Sequence, residues 1–130
     1  MRIRVVGLII IEGKLLLVRA KDHKELWTPG GRLEAGEKFE DCLKRELYEE
    51  INANVDEYVP FKDFVELSPF SHTEVKNVTY IVKASGDLRP KNEIGEIVWV
   101  SRADYEKRKY SYGYIIEEQI IPELVRSGFF

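Results

Sequence analysis

Between Gly31 and Asn52 the chain places Glu37, Glu46, Glu49 and Glu50 around Arg45. Over residues 38–51, Phe39, Leu43, Leu47 and Ile51 recur every four positions and make one apolar stripe, which predicts a helix. At ~100° per residue, Glu46, Glu49 and Glu50 fall within an arc of roughly 100° beside that stripe and not opposite it. Like charges one turn apart repel by roughly 0.2–0.5 kcal/mol per pair, and crowded carboxylates raise one another's pKa. Three acids at i, i+3 and i+4 can instead converge on one point. A divalent cation there removes the repulsion, and Mg²⁺ or Mn²⁺ favours such hard oxygen ligands. Arg45 can pair with Glu49, four residues on, or reach back to Glu37; either contact holds the helix against the preceding loop. The competing reading is a solvated acidic face without function. Against it stand the position of the acids beside the apolar stripe and the Pro29-Gly30-Gly31 stretch just before them, where a backbone can come close to a ligand.

The elements that must hold these residues are mostly strands. Residues 2–11 and 14–20 are apolar, β-prone runs joined by Glu12-Gly13, a hairpin pattern. Asn52 takes the position after the helix, where a left-handed residue ends it. Residues 55–67 predict a strand interrupted at Pro60, 67–72 a loop, 74–84 a strand, 86–92 a loop and 96–100 a short buried strand. Ser101 and Asp104 suggest an N-terminal cap for a short helix over 102–109. Ile115, Ile116, Ile120, Ile121, Leu124 and Val125 predict a terminal helix over 113–126, bent or split near Pro122. Strands with one strong central helix and one at the end imply an α+β fold, a mixed sheet with helices packed on it.

The length, 130 residues, fits one domain over 1–130. The net charge of −3 offers no broad basic surface for a nucleic-acid polymer. Cys42 is the lone cysteine, so no internal disulfide can form, which fits a reducing compartment. It is expected on the core side of its helix, without a role in chemistry. The N-terminal apolar run is too short for a membrane span and reads as a strand and not as a signal peptide. A cytoplasmic protein is expected. His23 and His72 lack the paired spacing of a zinc site.

From Gly31 the chain runs Gly, five residues, Glu37, seven residues, Arg45-Glu46-Leu47, Tyr48, Glu49-Glu50, Ile51, Asn52, Ala53. This resembles the Nudix hydrolase signature, G-x5-E-x7-R-E-U-x-E-E-x-G-U with U a bulky aliphatic residue, in register at every charged position. Asn52 replaces the last glycine and Ala53 the last aliphatic; neither change removes a ligand. The flanking "LWTPGG" and the later Trp99-Val100 strand also suit the family.

The resemblance implies an α/β/α sandwich around a mixed sheet, with the signature forming loop–helix–loop. It implies hydrolysis of a nucleoside diphosphate linked to another group, or of a nucleoside triphosphate, with one to three divalent cations, usually Mg²⁺. By position, Glu49 and Glu50 would be the principal metal ligands, Glu46 a ligand or the base, and the Gly30 carbonyl a further oxygen. Glu37 would pair with Arg45. The family commonly carries another acid near the Trp99 strand; of Glu93 and Glu96, Glu93 is favoured as ligand or base. Pro69, 16 residues beyond Ala53, matches a pattern of ADP-ribose pyrophosphatases, while the short chain suits a mutator-type triphosphate cleaner. Trp27, Phe70, Tyr110, Tyr112 and Tyr114 are candidates to stack a base. The state would be monomer or homodimer. The alternative function is a catalytically silent nucleotide-binding module on the same fold, which the intact Glu46, Glu49 and Glu50 argue against.

Overall fold

The N-terminal apolar run forms two strands, not one. The computed structural model, which describes residues 1–67 and 72–130, places β1 over Arg2–Leu8 and β2 over Ile10–Ile11. The predicted strand breaks at Ile9 because β1 belongs to one sheet and β2 to another. β3, Lys14–Ala20, follows a tight turn in which Glu12 and Gly13 have φ of 52° and 76°. Two successive left-handed residues match the right-handed twist of a hairpin.

The remaining elements are β4 (Gly30–Arg32), α1 (Phe39–Ile51), β5 (Asn54–Leu67), β6 (Glu74–Ser85), β7 (Ile94–Ser101), α2 (Arg102–Glu106), a π-helical turn (Ile116–Ile120) and α3 (Ile121–Arg126). The first sheet has the order β4-β1-β6-β5 and is mixed, since β1 runs parallel to β6 while the other pairs are antiparallel. The second, β2-β3-β7, is antiparallel. Pro60 is tolerated because β5 lies at a sheet edge and its register slips between Pro60 and Asp63. The segment 68–71, with Pro69 and Phe70, lies outside the described residues.

Helices cover the strands from two sides. Cys42, Leu43, Leu47 and Ile51 of α1 pack with Val5, Ile9, Leu16 and Val78. Ile116, Ile120, Ile121 and Leu124 pack with Val6, Leu8, Leu15 and Leu17. Adjacent strand residues thus send side chains to opposite layers, the period-two rule that makes an α/β/α sandwich from these sequences. Gly7 lets α1 sit directly on β1, since a Cβ there would come within 2.7 Å of Leu47. Each fully buried Leu or Ile contributes roughly 1.5–3 kcal/mol, so the apolar stripe anchors the acids that flank it.

Three local expectations are realised in the backbone. Asn52 adopts φ 57°, ψ 30° and ends α1. Ser101 and Asp104 form a reciprocal capping box, although the helix they start ends at Glu106 and not at 109. The bend near Pro122 is a π-helical turn: the Ile121 N–H donates to Ile116 O, and Pro122, which has no N–H, enters the first turn of α3. No helix among the described residues is long and apolar enough to cross a membrane.

Candidate active site

β4 and α1 bring the acids to one edge of the fold. Gly30 has φ of 148°, and a Cβ there would run into Val5 of the neighbouring strand. A Cβ on Gly31 would overlap the Glu46 carboxylate. The two glycines therefore do more than turn the chain. They pair with Val5 and Val6 as β4 and leave a cradle into which α1 can press its carboxylates.

Glu50 is 7% exposed and accepts a hydrogen bond from the Gly30 N–H at 2.9 Å. Burial pushes its carboxyl up to about 7; the Gly30 N–H and Arg4 oppose this, while Glu46 and Glu93 add to it. Burial also raises Glu46, against the pull of Arg45 at 2.8 Å. Glu49 is half exposed and lies 3.4 Å from Arg45. Arg45 meets both partners expected for it: Nε and Nη2 donate to Glu37 at 2.7 and 2.9 Å, in a bidentate pair, and Nη1 faces Glu49. The guanidinium holds Glu37 down to about 2. Because Glu34 N–H also donates to Glu37 at 3.1 Å, the clamp ties the 34–37 loop to α1.

The carboxylates sit together, but among the described residues no three groups of ligating type converge on one point. Glu46 and Glu49 turn to Arg45 and Glu50 to Gly30 N–H, the nearest donors for mutually repelling charges. The donor set nevertheless fits a hard divalent cation: adjacent carboxylate oxygens, two of them on largely buried side chains, beside a glycine cradle with room for them. Glu93 is exposed on the turn before β7, and its charge acts on both Glu46 and Glu50. Glu96 instead pairs with Arg19. The Gly30 carbonyl faces Arg4 Nη2 at 3.4 Å. Cys42 is fully buried and its thiol is pushed up to about 12, mainly by burial, so it carries no reactive thiolate.

Sequence reasoning missed Arg4. Its guanidinium donates to Thr28 O at 2.7 Å and Thr28 Oγ1 at 3.1 Å, and its charge acts on Glu50, Glu46 and Glu66. The available signal was a basic residue directly before the apolar Val5 and Val6, although Arg2 alternates with it on the same strand and the sequence does not say which of the two, or which side of β1, faces a site. A cavity of about 1010 Å³ is walled by Trp27, Leu67, Tyr112 and Tyr114, with Glu25, Glu66 and Gln119 as polar groups; the charge of Arg4 acts both on Glu66 of this wall and on Glu46 and Glu50 of the acid cluster. Of the candidate stacking residues, Trp27, Tyr112 and Tyr114 thus share this cavity, whereas Tyr110 packs elsewhere, against the second core and under Lys109. His23 stands at the cavity wall; His72 does not. Gly113 lies on the Trp27 ring, where a Cβ would come within 2.6 Å of its edge carbons.

An α/β/α sandwich whose glycine-led helix presents a clamped set of glutamates defines the class. The chain belongs to the Nudix family: the NUDIX domain model matches residues 1–123. Solved structures agree on the fold. One described as MutT from the fish pathogen Aliivibrio salmonicida and from Vibrio cholerae is 24% identical, with TM-score 0.78, over 97% of this chain and 98% of that one. A Nudix hydrolase from Nitrosomonas europaea is 20% identical, with TM-score 0.82, over 97% and 89%. A mutator MutT protein from Bacillus halodurans is 17% identical, with TM-score 0.75, over 90% and 78%. A comparison with curated proteins returned no match. Membership implies pyrophosphohydrolase chemistry in general, on small nucleotide derivatives and with divalent metal ions.

Proposed function

We propose that this chain is a Mg²⁺-dependent hydrolase of the phosphoric anhydride bond in a nucleoside diphosphate linked to a second group, of the ADP-ribose or (d)NTP type. The observation that carries the reading is the pair of largely buried acids, Glu46 and Glu50, pressed against Gly30-Gly31 with exposed Glu49 and Glu93 beside them. Burying carboxylates costs stability unless a partner compensates, and the charges of Arg4 and Arg45 leave both acids raised.

Glu46, Glu49, Glu50, Glu93 and the Gly30 carbonyl would hold the cation. When bound it would neutralise diphosphate charge and acidify a water. The protein supplies the rest. Arg45 and Glu37 fix the helix that carries Glu46, Glu49 and Glu50. Glu93, exposed and with its charge acting on Glu46 and Glu50, would serve as a ligand or as the base that takes a proton from the attacking water, Glu46 being the other candidate base. Arg4 offers positive charge that acts on Glu46 and Glu50 and on Glu66 of the cavity wall. The cavity's aromatic walls suit a stacked base, worth roughly 1–3 kcal/mol. The products would be a nucleoside monophosphate with a phosphorylated second group, or pyrophosphate from a triphosphate. The acting unit would be the domain over 1–130, as monomer or homodimer.

The test is incubation with Mg²⁺ and a panel of ADP-ribose, dinucleoside polyphosphates, nucleotide sugars and (d)NTPs, followed by phosphate counting after phosphatase treatment. Turnover of at least one class, lost in the Glu49→Gln/Glu50→Gln variant with the fold kept, supports the reading. Silence across the panel would contradict it.

A further inference from the structure

One carboxylate of the cavity wall, Glu66, has polar neighbours on the same sheet. Arg4, Asn77 and Glu66 lie on one face of the β1-β6-β5 sheet: Arg4 stands opposite Asn77, Asn77 opposite Phe64, and Glu66 follows Phe64 two residues on. Asn77 is 1% exposed, and its amide is the buried polar side chain nearest in register to Glu66, whose carboxylate it favours as a hydrogen-bond donor. Arg4 adds positive charge from the next strand. Burial raises the Glu66 carboxyl, while the Asn77 amide and Arg4 act to keep it ionised. Glu66 is half-buried and is the cavity's carboxylate with a buried support; Glu25 is exposed. Among the described residues no lysine or arginine lines the cavity, which does not suit a phosphate end of a substrate.

An ionised carboxylate offers two parallel acceptors and no donor. Guanine presents two adjacent donors, N1–H and an N2 hydrogen, on one edge. Adenine and cytosine present an amino group beside a ring-nitrogen acceptor. Uracil and thymine present one N–H between two carbonyl oxygens, which a carboxylate repels. We propose that Glu66, backed by Arg4 and Asn77, is the specificity residue of the cavity and selects a guanine base by a bidentate contact to its N1–H and N2–H edge. This deepens the reading of the acid cluster as a diphosphate-cleaving centre and rests on it for the location of the phosphates. A bidentate base contact of this kind discriminates by roughly tenfold or more.

The experiment reads binding apart from hydrolysis. Trp27 forms a cavity wall, so a stacked base should change its fluorescence; the Trp27→Phe variant identifies its part of the signal. Titration with GMP, AMP, CMP and UMP in EDTA should give GMP at least ~10-fold tighter than UMP in the wild type. In Glu66→Gln, which is isosteric but offers one acceptor and one donor, the ratio should fall to about threefold or less, with UMP binding and the circular dichroism spectrum kept. A hydrolysis panel of GTP, ATP, CTP and UTP with Mg²⁺ should show the same ordering in kcat/KM. Equal binding of GMP and UMP by the wild type, or a GMP preference that survives Glu66→Gln, overturns the proposal. A GMP preference lost in Glu66→Gln, without hydrolysis of any nucleotide, would support the specificity role while removing the catalytic reading.

Discussion

Glu50→Gln should make the metal-free protein more stable while abolishing its activity. The Glu50 carboxyl stands at about 7 against an ordinary 4.5, with Arg4's favourable pull already included. Between those two values the folded chain binds more protons than the unfolded one, so stability falls as pH rises through that window. At ~1.36 kcal/mol per pH unit, ionising Glu50 costs the fold roughly 3 kcal/mol above pH 7. Glutamine has no such titration and still presents an oxygen to the Gly30 N–H. In EDTA the variant and wild type should therefore be similar near pH 4.5, whereas at pH 8 the variant should lead by up to ~3 kcal/mol, about 10 °C in Tm. Urea and thermal unfolding at both pH values measure this, and titration of the other carboxylates is common to the two proteins. With saturating Mg²⁺ the wild type should regain ground, because a cation that binds only the folded state stabilises it. A variant no more stable at pH 8 than at pH 4.5, relative to wild type, would refute the claim that burial of this charge is a cost kept for function.

Three further outcomes follow from the geometry. Gly30→Ala should destabilise the fold by roughly 1–3 kcal/mol or more through its φ of 148° and the clash with Val5, whereas Gly31→Ala should leave unfolding nearly unchanged and remove turnover by displacing the Glu46 carboxylate. Glu37→Gln should weaken Mn²⁺ affinity by about 10–100-fold while sparing circular dichroism, because it loosens the Arg45 clamp without touching a ligand. Trp27→Ala should raise KM by about tenfold with kcat within a few-fold of wild type, and Gly113→Ala should act in the same direction by displacing the ring; unchanged KM in both would place substrate elsewhere.

What the sequence revealed was local. The four-residue recurrence of Phe39, Leu43, Leu47 and Ile51 predicts α1 because a helix needs one apolar stripe, and three of the four are buried; Phe39, in the first turn, remains 39% exposed. Asn52 and the Ser101–Asp104 pair are legible because caps are set by the residues themselves. What escaped depends on contacts far along the chain. The break at Ile9 reflects a change of sheet, and β4 exists only because Gly30-Gly31 finds β1. Nothing in 113–126 distinguishes a π turn from an ordinary bend before Pro122. Among the site residues, Glu37 and Arg45 pair as the signature resemblance implies. Glu93 and Glu96 are told apart by contacts far along the chain: Glu96 pairs with Arg19 across two strands, while the charge of Glu93 acts on Glu46 and Glu50. Arg4, Asn77 and Glu66 come from three strands, and no local pattern marks them as neighbours.

The central claim is that these glutamates are gathered for a divalent cation, and Mn²⁺ titration followed by electron paramagnetic resonance tests it most directly. The wild type should sequester Mn²⁺, with Mg²⁺ competing, and Glu49→Gln/Glu50→Gln should leave the ion free at the same concentrations. Equal binding by both proteins, or none by the wild type, would contradict it.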